Sequence, residues 1–172
     1  MIVVYMIVGL VIAVLLIAAV MPSSYSVEKT ITVNAPPQKV FEKVSDLNQY
    51  RDWNPWQKME PDSKSTITGT PATPGHKFAW EGKKIGMGSL TIKEAKPYTE
   101  VHIDLEFLKP WKAKANDDWK FEKVGENQVK IIWSNSGPLA YPMARLMSPM
   151  INKNLNQQFE QGLKNLKEVC EK

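Results

Sequence analysis

The sequence predicts an α+β fold, in which a curved antiparallel sheet of about seven strands packs against one long C-terminal helix. Two observations predict this class: apolar residues recur with a period of two through the middle of the chain and with helical spacing at its end. A third observation separates an N-terminal piece from this domain. The first 21 of the 172 residues carry no charge, whereas all 22 Lys and Arg and all 18 Asp and Glu residues follow them. The averages of 43% hydrophobic residues and net charge +4 therefore describe neither part.

The N-terminal segment, residues 2–21, is predicted to be a single transmembrane helix. Every residue in it except Gly9 is hydrophobic. A helix of this length spans roughly 30 Å, the thickness of the hydrocarbon core of a bilayer. We favour a retained anchor over a cleaved signal peptide, because no Lys or Arg precedes the core and the core is long for a signal peptide. The cleaved form and a buried helix of a soluble protein are the alternatives.

The side of the membrane is only weakly marked. Lys29 and Lys39 follow the segment and nothing basic precedes it, so the positive-inside tendency favours a cytoplasmic domain. Glu28 offsets part of this charge, and the extracytoplasmic side stays open. Cys170 is the single cysteine, which excludes a disulfide scaffold and fits either side.

After a linker at 22–25, the domain at 26–172 is predicted to begin with a strand, two short helices and a tryptophan-rich corner. Residues 26–34 alternate apolar and polar side chains, as a strand does. Prolines 36 and 37 suit the start of a helix. Asp46 is placed to cap a second short helix. Asn54-Pro55, within the tryptophan-rich corner RDWNPW, ends this helix.

Six further strands are predicted at 64–70, 77–81, 87–95, 99–108, 114–123 and 128–135. Ser148 then resembles a helix N-cap, with Pro149 at the first helical position. From Ile151 to Val169 apolar residues recur at spacings of three and four, which predicts an amphipathic helix of about 22 residues. A separate short helix is placed within 141–147. The long helix must cover the apolar face of the sheet, and a cleft between them is a place where small ligands bind.

Five stretches carry a resemblance to a known superfamily: ITVNAPPQKVFEKVSDLNQYRDWNPW (31–56), GMGSLTIKEAKP (86–97), FLKPWKAKANDDWKFE (107–122), IIWSNSGP (131–138) and FEQGLKNLKE (159–168). Together they resemble the START-like, or SRPBCC, superfamily, in particular its polyketide cyclase/dehydrase and lipid transport branch. The resemblance covers 26–172 and implies a helix-grip fold. Its members include lipid carriers, aromatic polyketide cyclases, quinone-binding proteins, hormone receptors and activators of heat-shock chaperones, so fold alone leaves function open.

Aromatic side chains dominate the predicted ligand-binding set, which is Trp53, Trp56, Phe78, Trp80, Phe107, Trp111, Trp119, Trp133, Tyr141 and Met147. Several lie on the apolar faces of their strands. The resemblance implies that Trp53 and Trp56 lie at one end of a cavity and that Trp111 lies in a loop at its mouth. Filling of an ordinary core is the alternative for each tryptophan.

No catalytic residue, metal site or cofactor is predicted. His76 and His102 lack a second ligand at useful spacing. Asp117-Asp118 interrupts the alternation of its strand, as a bulge or a strand end would. Glu81, Tyr141 and Arg145 are the least unfavourable acid/base candidates. The lysines form no basic stripe, so no nucleic-acid partner is expected.

These observations predict a membrane-anchored protein, held by residues 2–21, that binds or transports a hydrophobic small molecule or lipid between sheet and helix. A cyclase or dehydratase enzyme is the rival hypothesis, and it requires an ionisable group inside the cavity. A protein-interaction module resembling the chaperone activators is a third, and it requires a closed cavity and an exposed patch.

Overall fold

A computed structural model describes all 172 residues. The elements in chain order are α1 (Ile2–Val20), β1 (Ser24–Val33), α2 (Pro37–Ser45), a 3-10 turn (Leu47–Gln49), α3 (Tyr50–Trp53), α4 (Pro55–Met59), β2 (Lys64–Thr68), β3 (Lys77–Glu81), β4 (Met87–Lys96), β5 (Glu100–Lys109), β6 (Ala113–Gly125), β7 (Gln128–Pro138), α5 (Met143–Leu146) and α6 (Ser148–Cys170). The predicted α+β class and the helix-grip arrangement are confirmed. The first strand begins at Ser24, inside the predicted linker.

The seven strands form one antiparallel sheet in the order β1-β7-β6-β5-β4-β3-β2. The first strand therefore lies beside the last, with Ser24 opposite Pro138 and Val33 opposite Val129. The alternating burial along each strand follows from the two-residue period of its side chains. The inward side chains meet α6 and the short helices in one hydrophobic core of 23 buried residues.

The N-terminal helix α1 stands apart from this core. Its side chains are exposed except Ala18, and none of them belongs to the core cluster. Near its end the Tyr141 hydroxyl donates a hydrogen bond to the Leu15 carbonyl at 3.1 Å. The helix is long and apolar enough to cross a bilayer, a property that N-terminal signal sequences share.

Two local predictions were wrong. Ser148 does not cap α6 but is its first residue, and its side chain makes no capping bond. The chain arrives there already helical, because the Met147 N–H bonds the Met143 carbonyl at 3.0 Å. Likewise, Asp117 marks neither a bulge nor a strand end: it pairs in regular register with Ile103 and Asn135.

Candidate ligand-binding cavity

A cavity of about 110 Å³ lies between the inner face of the sheet, the α3–α4 corner and α6. Eleven of its fifteen lining residues are hydrophobic. The lining consists of Tyr25, Tyr50, Asn54, Trp56, Gln57, Trp80, Ile85, Leu90, Leu105, Phe107, Asp117, Trp133, Asn135, Leu155 and Phe159. An engineered apolar cavity of about 150 Å³ holds a benzene molecule. The space therefore suits one ring or the end of a chain.

The Asn54-Pro55 corner builds one wall. Pro55 opens α4 in a position where its missing N–H is not needed. The side-chain oxygen of Asn54 accepts hydrogen bonds from the backbone N–H groups of Trp56 at 3.0 Å and Gln57 at 3.2 Å. This cap holds the first turn of α4 so that both residues border the cavity.

A second wall is a stack of aromatic rings. The Trp119 and Trp133 rings stack with centroids 4.3 Å apart, and Phe159 from α6 stacks on Trp133 at 3.8 Å. The helix comes this close because residue 162 is glycine: a Cβ there would lie 2.8 Å from the Trp133 ring. The result is a rigid aromatic wall, of which Trp133 and Phe159 border the cavity.

The cavity has one acidic group, Asp117, which is only 5% exposed. Its carboxylate accepts hydrogen bonds from the indole N–H groups of Trp119 and Trp133, each at 2.9 Å, and from the Asn135 amide at 3.0 Å. Burial raises the pKa of Asp117 to about 6, although these three hydrogen bonds favour the charged form. The carboxyl therefore gains or loses its proton near pH 6.

Two tyrosines extend this polar end. The Tyr25 hydroxyl donates to the Asn135 side-chain oxygen at 2.7 Å. Burial, helped by the negative charge of Asp117, raises the pKa of Tyr25 to about 12. The same two causes, burial first, hold the pKa of Tyr50 well above its usual value. Both phenols therefore stay protonated, and Tyr25 acts as a neutral hydrogen-bond donor.

Asn54 brings an unpaired donor to the cavity wall. Asn54 is fully buried, and its side-chain oxygen already accepts both hydrogen bonds of the helix cap. Its Nδ2 has no hydrogen-bond partner. A buried polar group left without a partner costs about 1–3 kcal/mol. Native proteins rarely leave such a donor unpaired, so this amide stands out among the residues that line the cavity.

The ten predicted ligand-binding residues fall into three groups. Four line the cavity: Trp56, Trp80, Phe107 and Trp133. Three are buried in the core beside it: Trp53, Phe78 and Trp119. Three lie outside it: Trp111, Tyr141 and Met147. Trp111 is 70% exposed because the β5–β6 loop carries it away from the sheet. A ligand-binding role for any of the ten stays a prediction.

Sequence patterns alone did not identify the polar residues of the cavity. None of the acid/base candidates Glu81, Tyr141 and Arg145 lines it. The signal in the sequence is the position of Asp117 within its strand, since Asp117 lies on the same inward face as Trp119. A charged residue on an otherwise apolar strand face indicates a buried carboxyl rather than an interruption of the strand.

The two histidines lie away from the cavity. His76 is buried and links the 3-10 turn to the end of β2. Its ring accepts a hydrogen bond from the Leu47 N–H and forms another with the Thr68 carbonyl, each at 3.0 Å. His102 lies on the outer face of the sheet, 2.6 Å from an oxygen of Asp118. That hydrogen bond raises the pKa of His102. The structure contains no cluster of three metal-binding side chains.

An apolar cavity enclosed by a seven-stranded sheet and a long C-terminal helix defines a helix-grip protein. The chain belongs to the polyketide cyclase / dehydrase and lipid transport family, whose model matches residues 24–171. No curated protein sequence matches it.

Several solved structures share this fold. The Zhui aromatase/cyclase from Streptomyces sp. R1128 has a TM-score of 0.63 and 16% identity, over 86% of this chain and 94% of that one. Protein MLL2253 from Mesorhizobium loti has a TM-score of 0.62 and 9% identity, over 84% and 96% of the two chains. The Aha1 dimer from Colwellia psychrerythraea has a TM-score of 0.60 and 15% identity, over 86% and 96%. At these identities the likeness shows the fold alone.

Proposed function

We propose that this protein is a membrane-anchored binder or carrier of a small apolar molecule that holds one polar oxygen. The cavity carries the proposal: it is mainly aromatic and apolar, and its polar groups include Asp117, Asn135, Gln57, the Tyr25 hydroxyl and the unpaired amide of Asn54. Such a lining, mostly apolar with a few placed polar groups, is typical of small-ligand sites.

The anchor fits this function. A sparingly soluble ligand partitions into the bilayer, and a binder fixed there meets it at a high local concentration. The length of α1, its apolar composition and its nearly complete exposure support a segment that faces lipid rather than protein.

The size of the cavity restricts the ligand. A volume of about 110 Å³ holds a single ring or a short chain end, and a longer molecule would extend beyond the cavity. The Nδ2 donor of Asn54 selects an acceptor oxygen, such as a ketone or a quinone carbonyl. The aromatic side chains of the lining favour a planar group beside it.

Ligand capture tests the proposal. Native mass spectrometry of the detergent-extracted full chain should show an apolar molecule of low mass bound to it. Titration with acetophenone, followed by tryptophan fluorescence, should show saturable binding. An empty protein that binds no apolar ketone would contradict the proposal.

A cavity-filling variant with a matched control shows where the probe binds. Leu155→Trp adds a large ring at the cavity wall of α6 and should abolish saturable acetophenone binding. Asn154→Trp adds the same ring at the neighbouring exposed position and should leave binding unchanged. Equal loss in both variants would place binding outside the cavity.

A second candidate function is supported by Asp117: a cyclase or dehydratase enzyme. A carboxyl with a pKa of about 6 inside an apolar cavity has the properties of a general acid/base. In a dehydration it would take the proton next to a ketone, and the β-hydroxyl would leave as water with that proton, so that Asp117 returns to its starting form.

The two functions are separated by one assay. Incubation with 4-hydroxy-4-phenylbutan-2-one, followed by NMR, should release the conjugated enone and water if the protein is an enzyme, and Asp117→Asn should stop the release. Saturable binding of the same ketone without turnover favours the carrier.

A further inference from the structure

The sheet has one end at which α1 joins the domain. Strand registers align Ser24 with Pro138, Phe107 with Ala113, and Met87 with both Lys109 and Glu81. The starts and ends of six strands therefore meet at this end, which we call the anchor end. Its loops are residues 82–86 and 110–112 and the segment that leads from β7 to α6.

Exposed apolar side chains concentrate at the anchor end. Outside residues 1–20, eight large hydrophobic residues are exposed, and six of them lie there: Met59, Leu108, Trp111, Tyr141, Met143 and Met150. The other two, Tyr98 and Val124, lie at the opposite end. Because soluble surfaces scatter such residues singly, this clustering indicates a binding surface.

Positive charge accompanies the apolar residues. The loops at 82–86 and 110–112, with the last residue of β5, contain Lys83, Lys84, Lys109 and Lys112 and no acidic residue, and Glu81 directly precedes the first loop. All four lysines are exposed, and none of them forms a salt bridge. The nearby Glu60 carboxylate is already engaged by the backbone N–H groups of residues 83–85. Lysines beside exposed Trp and Met suit an anionic lipid surface.

The contact between α1 and Tyr141 fixes the position of the anchor end along the axis of α1. Leu15, whose carbonyl binds the Tyr141 hydroxyl, lies five residues before the end of α1, or about 7.5 Å along the helix axis. Only residues 21–23 separate α1 from β1. If α1 spans a bilayer, this contact and the short connection keep Tyr141 and Met143 at the lipid surface.

We propose that the anchor end docks on an anionic bilayer, with Trp111 and Met143 inserted between the lipid headgroups. The proposal rests on the membrane-anchor part of the proposed function. The cavity lies in the same half of the sheet, since Tyr25, Phe107 and Asn135 border it within the anchor-end halves of their strands. A ligand would then pass between bilayer and cavity without crossing bulk water.

Trp111 provides a direct test. Four of the other tryptophans are buried and Trp56 is half-buried, and α1 contains none, so the difference in fluorescence between wild type and Trp111→Phe reports on this loop. The full chain is reconstituted in phosphatidylglycerol–phosphatidylcholine vesicles whose acyl chains are brominated near the headgroup. We expect the Trp111 component to lose more than half of its intensity to the bromine.

A matched control places the only exposed tryptophan at the other end. Val124→Trp in the Trp111→Phe background should lose little intensity, because Val124 lies in the β6–β7 hairpin, far from α1. Equal quenching at both positions would overturn the docking geometry. An unquenched Trp111 in a chain that resists carbonate extraction would overturn docking alone, whereas extraction by carbonate would overturn the anchor and docking together.

Discussion

At the scale of single residues, the buried carboxyl of Asp117 determines what the cavity can do. Three donors, two of them indoles, converge on it from the wall that also forms the aromatic stack. The same hydrogen bonds therefore hold the acid and fix the orientation of the rings. The carboxyl gives an otherwise apolar cavity one polar, titratable group, and the proposed enzymatic function depends on it.

Asp117 makes the stability of the protein depend on pH. Burial raises its pKa from 3.8 to about 6 in the folded state, so the folded state holds the proton more tightly than the unfolded state. The stabilisation is complete below the unfolded value and is lost as the pH rises through about 6. The loss amounts to about 3 kcal/mol, since one pKa unit corresponds to about 1.4 kcal/mol.

Urea unfolding at a series of pH values from 4 to 7 measures this loss. The free energy of unfolding of Asp117→Asn should lack the part of the decline that wild type shows in this window. Asp104→Asn, which removes an exposed carboxylate from β5, should keep the wild-type decline. A wild-type slope in Asp117→Asn would show that the carboxyl titrates normally.

Asn54 joins the helix cap and the cavity in one side chain, and Asn54→Ser separates the two roles. Serine keeps an oxygen that caps α4, so stability should change by less than about 1 kcal/mol. It removes the free Nδ2 donor, so acetophenone affinity should fall about tenfold, the value of a hydrogen bond of about 1.4 kcal/mol.

α-Methylstyrene is the matched probe for this variant, because it has nearly the shape of acetophenone with a CH2 group in place of the carbonyl oxygen. Its affinity should be the same for wild type and Asn54→Ser in fluorescence titrations. If both probes weaken equally, the substitution has altered the shape of the cavity and Asn54 does not recognise the oxygen.

At the scale of elements, the distance between α6 and the sheet depends on Gly162. Alanine is a better helix former than glycine by about 1 kcal/mol. At this position, however, its Cβ would lie 2.8 Å from the Trp133 ring and 3.2 Å from Pro55. We expect Gly162→Ala to lower the free energy of unfolding by about 1–3 kcal/mol, as overpacked cores do, and to change the near-UV circular dichroism of the stacked indoles.

Asn154→Ala is the control for Gly162→Ala. It improves helix propensity at an exposed position of α6 and should raise stability slightly. If Gly162→Ala also stabilises the protein and leaves the near-UV spectrum unchanged, α6 has room to move away from Trp133.

The strands and α6 were predictable because their side-chain periods are visible in the sequence. The corner was likewise predictable from Asn54-Pro55, because proline restricts the residue before it to non-helical backbone conformations. The polar end of the cavity was not predictable in the same way. The unpaired state of Asn54 and the burial of Asp117 depend on how α4, β6 and α6 meet, and this packing involves residues distant in the sequence. Trp111 was predicted to lie at the cavity mouth, but it lies in an exposed loop. The residues around Trp111 do not distinguish an exposed loop from a cavity mouth.

At the scale of the whole molecule, the N-terminal helix α1 contributes little to the folded core of the domain. The core cluster contains no residue of α1, and the domain meets α1 mainly through buried Ala18 and the hydrogen bond from Tyr141 to Leu15. The hydrogen bond from the Leu139 N–H to the Ser23 carbonyl, at 2.7 Å, lies on the domain side of the connection. Removing α1 therefore takes little from the packing of the rest.

We expect residues 22–172 to fold without α1. The loss of one hydrogen bond and one small buried side chain should lower the free energy of unfolding by no more than about 2 kcal/mol. Urea unfolding followed by tryptophan fluorescence should remain cooperative, and acetophenone binding should persist. A chain starting at residue 35 should not fold, because it also lacks β1 and with it the buried Val27 and Val33. If the 22–172 chain instead unfolds without cooperativity, α1 belongs to the fold, and its apolar surface serves packing as well as the membrane.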